Sequence, residues 1–136
     1  MKIRNGFVSN SSSSSFIIGY GVIDTKKYEE LIKFIKERCD YDESFLIGLK
    51  KDLDLNYIDI NLDESISDTD LILVVNYWNG EGDIMFYDKW GELDYDKASD
   101  ISFYSKEQQE LIEALQKGTF FDKTKNYDCY FGARRD

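Results

Sequence analysis

The sequence of 136 residues contains no histidine, no proline and only two cysteines. The absence of histidine excludes an imidazole base, a Ser-His or Cys-His nucleophile pair and any histidine-ligated metal. Two cysteines are too few for a four-cysteine zinc site or for a small fold built on several disulfides. We interpret Cys39 and Cys129 as buried or free thiols of a reducing cytosol, which predicts a cytoplasmic protein.

Positive charge and long apolar runs are also scarce. The 17 Lys and Arg residues face 27 Asp and Glu residues, which gives a formal net charge of −10. Nucleic-acid affinity comes mainly from basic side chains that neutralise phosphates, so this balance argues against direct nucleic-acid binding. The longest apolar run, Leu71–Val75, falls far short of the ~20 residues that cross a bilayer, so no membrane partner is expected. The sequence indicates no cofactor, and it leaves the oligomeric state open.

The remaining composition is that of a folded chain. Hydrophobic residues make up 42% and aromatic residues 15% of the sequence, which is more than a disordered chain carries. The length predicts one domain. We divide the chain into a serine-rich leader, residues 1–15, and a single α+β domain, residues 16–136.

The first half of that domain predicts a strand, a helix and then a shorter helix. Aromatic and β-branched residues from Phe16 to Ile23 favour a strand, after which Asp24 or Thr25 caps a helix. The apolar face of this helix consists of Tyr28, Leu31, Ile32 and Ile35. Asp42 is predicted to cap the shorter helix, whose apolar residues are Phe45, Leu46, Leu49 and Leu53.

The second half predicts mainly strands. Alternation from Ile58 to Leu62 favours a half-buried strand, and Leu71–Trp78 reads as a central strand buried on both faces. A hairpin turn at Asn79–Gly82 would lead into a strand over Asp83–Trp90, with a further short strand near Leu93–Tyr95.

A last helix and strand close the chain. Ser105 and Gln108 form a capping box for a helix that carries Leu111, Ile112 and Leu115 and stops at Gly118, and Tyr127–Phe131 predicts the final strand. The predicted order, β-α-α-β-β-β-α-β, indicates an α+β fold: an antiparallel sheet with two or three helices packed on one face. A ferredoxin-like sandwich is one instance of this class.

The acidic residues are concentrated in one segment. Residues 52–88 hold ten Asp and Glu residues and no Lys or Arg, whereas the other 99 residues hold 17 of each sign. The candidate binding residues are the first seven of these acids: Asp52, Asp54, Asp59, Asp63, Glu64, Asp68 and Asp70. They are interpreted as an acidic surface that imitates a row of phosphates and attracts a basic protein groove.

Three other interpretations of these acids stay open. One is a solvated face and loop. A carboxylate cluster can hold Mg²⁺ or Ca²⁺, although the spacing does not match an EF-hand loop. Paired carboxylates can also perform general acid–base catalysis. The sequence assigns no catalytic residue and no metal ligand.

Aromatic residues cluster on the predicted hairpin. They are Tyr77, Trp78, Phe86, Tyr87 and Trp90. Aromatic side chains stack on nucleic-acid bases when Lys or Arg accompanies them, but here the neighbours are acids. We therefore interpret these aromatic residues either as core residues or as an exposed anchor for a protein partner.

The N-terminal stretch is the most distinctive part of the sequence. Arg4 is followed by Gly6–Asn10, then by the five serines, then by Phe16. The serines are Ser11, Ser12, Ser13, Ser14 and Ser15. A serine run resists helix formation, because each hydroxyl competes for nearby backbone groups. The run is read as an extended leader with pinned apolar ends, as a processing, modification or addressing signal, or as a phosphate-binding loop.

This opening resembles that of many small proteins encoded by bacteriophages and integrated phage elements, often of clostridia and their relatives. Those proteins share a basic residue, Gly-Phe-Val-Ser-Asn, a serine run and Phe, but they differ downstream and most have no assigned function. The resemblance covers about sixteen residues and implies a phage or prophage origin. It implies no activity.

Taken together, these features predict an acidic protein that binds a macromolecule and does not catalyse a reaction. The specific hypothesis is a phage-derived accessory protein that inhibits a host complex by engaging its basic surface. A small carboxylate-dependent metal-binding protein or enzyme is one alternative. A virion or assembly component, with the serine leader as an address or cleavage site, is another.

Overall fold

A four-stranded antiparallel sheet forms the centre of the protein. The computed structural model describes residues 13–39, 44–53, 60, 62–79, 89–90 and 94–135. The strands are β1 (Ser13–Val22), β2 (Phe45–Leu49), β3 (Leu71–Asn79) and β4 (Asp128–Arg135), in the spatial order β2-β3-β1-β4. The helices are α1 (Tyr28–Arg38), α2 (Tyr95–Ala98) and α3 (Lys106–Lys117). Short 3₁₀ turns occupy Thr25–Lys27, Lys50–Asp52 and Ile101–Phe103.

The predicted fold class is confirmed: the protein is α+β, with an antiparallel sheet and three helices. The observed order is β-α-β-β-α-α-β. Each neighbouring pair of strands is antiparallel, so β1 and β2 run in the same direction and α1 connects them. The strand order and directions are compatible with a ferredoxin-like arrangement.

One side of the sheet, here called the helix face, packs against the helices. Its buried strand residues include Ile17, Leu73 and Val75, and they share one core with Leu31 of α1 and Leu111 of α3. Glycines in β1 permit this close packing. A Cβ atom at position 19 would lie 3.2 Å from Leu115 Cδ1, and one at position 21 would lie 2.5 Å from the ring of Phe121.

The opposite side, here called the coil face, is covered by the chain between β2 and β3. Its buried strand residues are Phe16, Ile18, Tyr20, Val22, Ile72 and Val74. The covering side chains are Leu53, Ile60, Leu62 and Ile66. Alternate residues of the sheet therefore enter two separate cores, and β3 is buried on both faces as its continuous apolar run predicts.

Local signals located several elements correctly. Asp24 accepts a hydrogen bond from the Lys26 amide where the first helical segment begins. Ser105 and Gln108 form the predicted capping box of α3, and Gly118 ends that helix with φ of 66°. The last strand starts at Asp128, one residue later than predicted, and extends beyond Phe131.

The predicted helix after Asp42 is wrong. Phe45–Leu49 is strand β2, and only Lys50–Asp52 forms a 3₁₀ turn; Asp42 itself lies outside the described residues. The apolar spacing fits a helix, but pairing with β3, from Phe45↔Val75 to Leu49↔Leu71, satisfies the backbone of this segment instead.

The strand predicted over Ile58–Leu62 is not found at the residues that the structure describes there. Ile60 and Leu62 belong to no strand, yet both pack on the coil face. Alternate apolar residues can thus enter a core without a strand partner. Residues 54–59 and 61 lie outside the described part of the chain.

Two further strand predictions fail where they can be checked. Most of Asp83–Trp90 lies outside the described residues, but Lys89 and Trp90 form a turn. Tyr95 begins α2, because the Asp94 side chain caps that helix by accepting a hydrogen bond from the Lys97 amide at 3.1 Å.

Candidate functional site

The candidate site is the turn that leads into β3, residues 62–70, here called the acidic turn. It contains four of the predicted binding residues, Asp63, Glu64, Asp68 and Asp70. Its central residue, Ile66, is 1% exposed and inserts into the coil-face core. One apolar side chain thus attaches an otherwise polar turn to the sheet.

Two of the carboxylates shape the turn. Asp63 Oδ1 accepts a hydrogen bond from the Ser65 amide at 2.7 Å, and Asp70 Oδ2 accepts one from the Ser67 amide at 2.9 Å. Short acidic side chains stabilise turns in this way because they replace a missing backbone acceptor. Asp63 and Asp70 therefore have a structural role, which charge counting along the sequence did not show.

Lysines next to β2 hold the turn from the other side. The amides of Lys50 and Lys51 donate to the carbonyl oxygens of Asp70 and Asp68, at 3.2 and 3.4 Å. The Lys50 ammonium group donates to the Ile66 carbonyl at 2.7 Å. The backbone of the turn is thus bonded on both sides of its buried residue, which fixes its conformation.

The exposed charge of the turn comes from three carboxylates. Asp63, Glu64 and Asp68 are exposed, whereas Asp70 is half-buried and lies 3.7 Å from the Lys125 ammonium group. Lys125 also donates to the Ser65 carbonyl at 3.1 Å. The fold therefore offsets part of the acidic segment with lysines that are distant in sequence, and it leaves three carboxylates on the surface.

Asp128 adds to the same acidic surface, although it lies far from residues 52–88. Burial raises the pKa of the Tyr20 hydroxyl, and the negative charges of Asp128 and Asp63 raise it further, while a hydrogen bond from Asn126 opposes them. Both carboxylates thus act on one phenol although they lie 65 positions apart in the sequence. Sequence reasoning missed Asp128, because only the pairing of β1 with β4 brings it beside Tyr20.

The other predicted binding residues are not brought into the turn. Asp52 is exposed at the end of the 3₁₀ turn after β2. Asp54 and Asp59 lie outside the described residues, as do Ser11 and Ser12. Ser13, Ser14 and Ser15 form the start of β1, where they pair with Arg135, Arg134 and Ala133. The strand therefore begins within the predicted leader.

The aromatic cluster predicted on a hairpin is only partly described. Tyr77 packs against the helix-face core, and Trp90 is 76% exposed in its turn. Trp78 lies in β3, and Phe86 and Tyr87 lie outside the described residues. The described aromatics therefore divide between core and surface.

An open groove of about 660 Å³ lies where β1 ends beside the start of β3. Its polar rim includes Asp24, Asp70 and Asp122, together with Lys27 and Lys123. Each of the three carboxylates accepts a hydrogen bond from its own turn. Hydrogen bonds from Thr124 also hold the pKa of Asp122 below its ordinary value. We therefore read these carboxylates as structural.

Within the described ranges, no group of three His, Cys, Asp or Glu residues is arranged to hold a metal ion. No helix in the described part of the chain is both long and apolar enough to cross a membrane. Comparison of the chain with protein-family models, curated proteins and solved structures finds no match.

Proposed function

We propose that the protein binds a macromolecule through the acidic turn and that its partner presents a basic protein surface. The observation that carries this proposal is the burial of Ile66 between exposed carboxylates, Asp63 and Glu64 on one side and Asp68 on the other. The turn is already ordered, so binding would not have to order it.

Electrostatics supports the same partner class. The net charge of −10 attracts basic surfaces over a distance, and exposed carboxylates on a fixed turn favour a cationic partner at contact. We extend the proposal to a phage-derived inhibitor that occupies a nucleic-acid-binding groove of a host complex. This extension rests on the resemblance of the leader and on the sign of the charge.

The test is a pull-down from bacterial host lysate with three forms of the protein. The test variant carries Asp63→Asn, Glu64→Gln and Asp68→Asn, where the Asn at position 63 keeps an oxygen for the Ser65 amide. The control carries Glu29→Gln, Glu30→Gln and Asp96→Asn, which remove three exposed charges elsewhere. Circular dichroism confirms that all three forms fold.

We expect the wild type and the control to retain a basic partner that the test variant loses. Raising the salt concentration should release the same partner, because exposed charges are screened. Added DNA should displace the protein if the partner's groove also binds nucleic acid. Equal capture by the wild type and the test variant, or equal loss from both variants, would rule out the acidic turn as the binding surface.

A further inference from the structure

Strand β4 lies at an edge of the described sheet, outside the acidic turn. In the described part of the chain β4 is the last strand of the sheet, with β1 on one side only. It is eight residues long, whereas β2 at the opposite edge has five. A long edge strand is a template for pairing with another strand.

Hydrogen-bond directions show which residues of β4 face outward. The Ile23 amide donates to the Leu71 carbonyl, so odd-numbered residues of β1 direct their backbone groups toward β3 and even-numbered residues toward β4. The Cys129 amide, opposite Gly19, donates to the Asp128 side chain at 2.8 Å and not to β1. By alternation, the backbone groups of Phe131 and Ala133 also point outward.

We propose that two copies of this chain pair antiparallel through their β4 edges, about a two-fold axis at Phe131. In this register Phe131 lies opposite Phe131 of the second copy, and Cys129 lies opposite its Ala133. The outward N–H and C=O groups of the two β4 strands then face each other and can form hydrogen bonds. The same residues serve both copies, as a two-fold interface requires.

Charge selects this register over the next one. It places Asp128 of each copy opposite Arg134 of the other, at closely spaced positions of the ladder. A shift of two residues that opposes Asp128 to Gly132 of the second copy also brings outward groups together, but it leaves Asp128 without a charged partner. Unlike charges directly opposite stabilise a strand pair, and like charges destabilise it.

Gly132 fits the same arrangement. A Cβ atom there would lie 3.7 Å from Phe16 Cζ, an ordinary contact, so packing within one copy does not require glycine at this position. In the proposed pair Gly132 lies opposite Tyr130 of the second copy. Gly132 is already buried in the single chain, and a glycine leaves room beside its backbone for a facing aromatic side chain.

Pairing requires one local exchange. The Asp128 carboxylate now accepts the Cys129 amide, and in the pair this amide would donate to the Ala133 carbonyl of the second copy. Asp128 would then be released to face Arg134 of that copy. In the single chain the Asp128 side chain therefore occupies the outward amide of Cys129. Charged side chains commonly protect edge strands from pairing.

The test is sedimentation velocity over a range of protein concentrations, at ~0.15 M ionic strength so that the net charge is screened beyond about 8 Å. We expect the wild type to dimerise. Arg134→Glu and Asp128→Arg should each weaken dimerisation about tenfold, because two unlike pairs become like-charge pairs. The double variant Asp128→Arg, Arg134→Glu should restore it, which a purely structural role would not produce.

A second variant tests the backbone contribution. Ala133→Pro removes an outward amide and leaves the hydrogen bonds to β1 in place, so it should yield a folded monomer. A wild type that stays monomeric at every concentration would overturn the proposal. So would unchanged dimerisation of Arg134→Glu or of folded Ala133→Pro, or a double variant that dimerises no better than the single ones.

Discussion

The two faces of the sheet are equally buried, but different kinds of structure cover them. Leu73 and Val75 on the helix face are fully buried, and so are Ile72 and Val74 on the coil face. Helices cover the first face and satisfy their own backbone hydrogen bonds. The turn over the coil face needs side chains for this purpose: Asp63, Asp70 and Lys50 all bond its backbone.

The difference accounts for two of the acids between β2 and β3, Asp63 and Asp70. A cover without regular structure would leave polar backbone groups unsatisfied, and short acidic side chains supply acceptors for its amides. Part of the charge that distinguishes the sequence thus stabilises the fold. The exposed carboxylates, Asp63, Glu64 and Asp68, are what the proposed partner would meet, and Asp63 among them also bonds the turn.

At neutral pH the largest expected effect is on the helix face. Leu111→Ala should lower the free energy of unfolding by about 3 kcal/mol, because a fully buried side chain between α3 and the sheet leaves a cavity that rigid elements cannot close. Urea unfolding monitored by circular dichroism measures the loss. Glu113→Ala, an exposed change on the same helix, should stay within ~0.5 kcal/mol of the wild type.

A smaller effect is expected for the equivalent change on the coil face. Ile66→Ala should cost about 2 kcal/mol, because the turn can relax into part of the space that its side chain leaves. Hydrogen exchange of the Ser65 and Ser67 amides should quicken at the same time, with Glu64→Ala as the control. A loss as large as that of Leu111→Ala would show that both covers are equally rigid.

Alkaline pH compares the two faces through one titrating side chain on each. Burial, with a contribution from Asp128, raises the pKa of the Cys129 thiol on the helix face from 9.0 to about 12. The folded state favours the neutral thiol, so Cys129 has no effect on stability below pH 9.0. Its effect lowers stability as the pH rises toward 12, by up to ~1.4 kcal/mol per pH unit. Cys129→Ala should flatten this decline.

On the coil face the loss of stability should begin at a higher pH. The pKa of Tyr20 is raised from 10.0, so its effect is absent below pH 10.0 and destabilises the folded state above it. Tyr20→Phe should therefore alter only the upper part of the profile. Urea unfolding at successive pH values separates the two groups, and identical profiles for wild type and Cys129→Ala would contradict the assignment to the thiol.

Local sequence signals predicted two kinds of element correctly: a helix that forms its hydrogen bonds within itself, and a strand whose apolar run is continuous. The capping box at Ser105 and the stop at Gly118 define α3, and the apolar run from Leu71 defines β3. Phe45–Leu49 was predicted as a helix because its apolar spacing also fits one. Only the edge of β3, which lies more than twenty residues away in sequence, decides that it is a strand.

The candidate site shows the same division. The sequence located the acids, and four of them lie in one turn. It did not reveal that Lys50 and Lys125 would hold that turn, or that Asp128 would lie beside Tyr20. These contacts join residues that are distant in sequence, so no local pattern records them.

The sequence by itself determined the α+β class, the burial of β3, the limits of α3 and the sign of the charge. Those properties follow from periodicity, caps and composition, which act over a few residues. The tertiary structure alone decided which acids became turn caps, which stayed exposed, and that Ser13 and Ser14 would pair with Arg135 and Arg134. Strand pairing sets those outcomes, because it brings together groups that the chain keeps far apart.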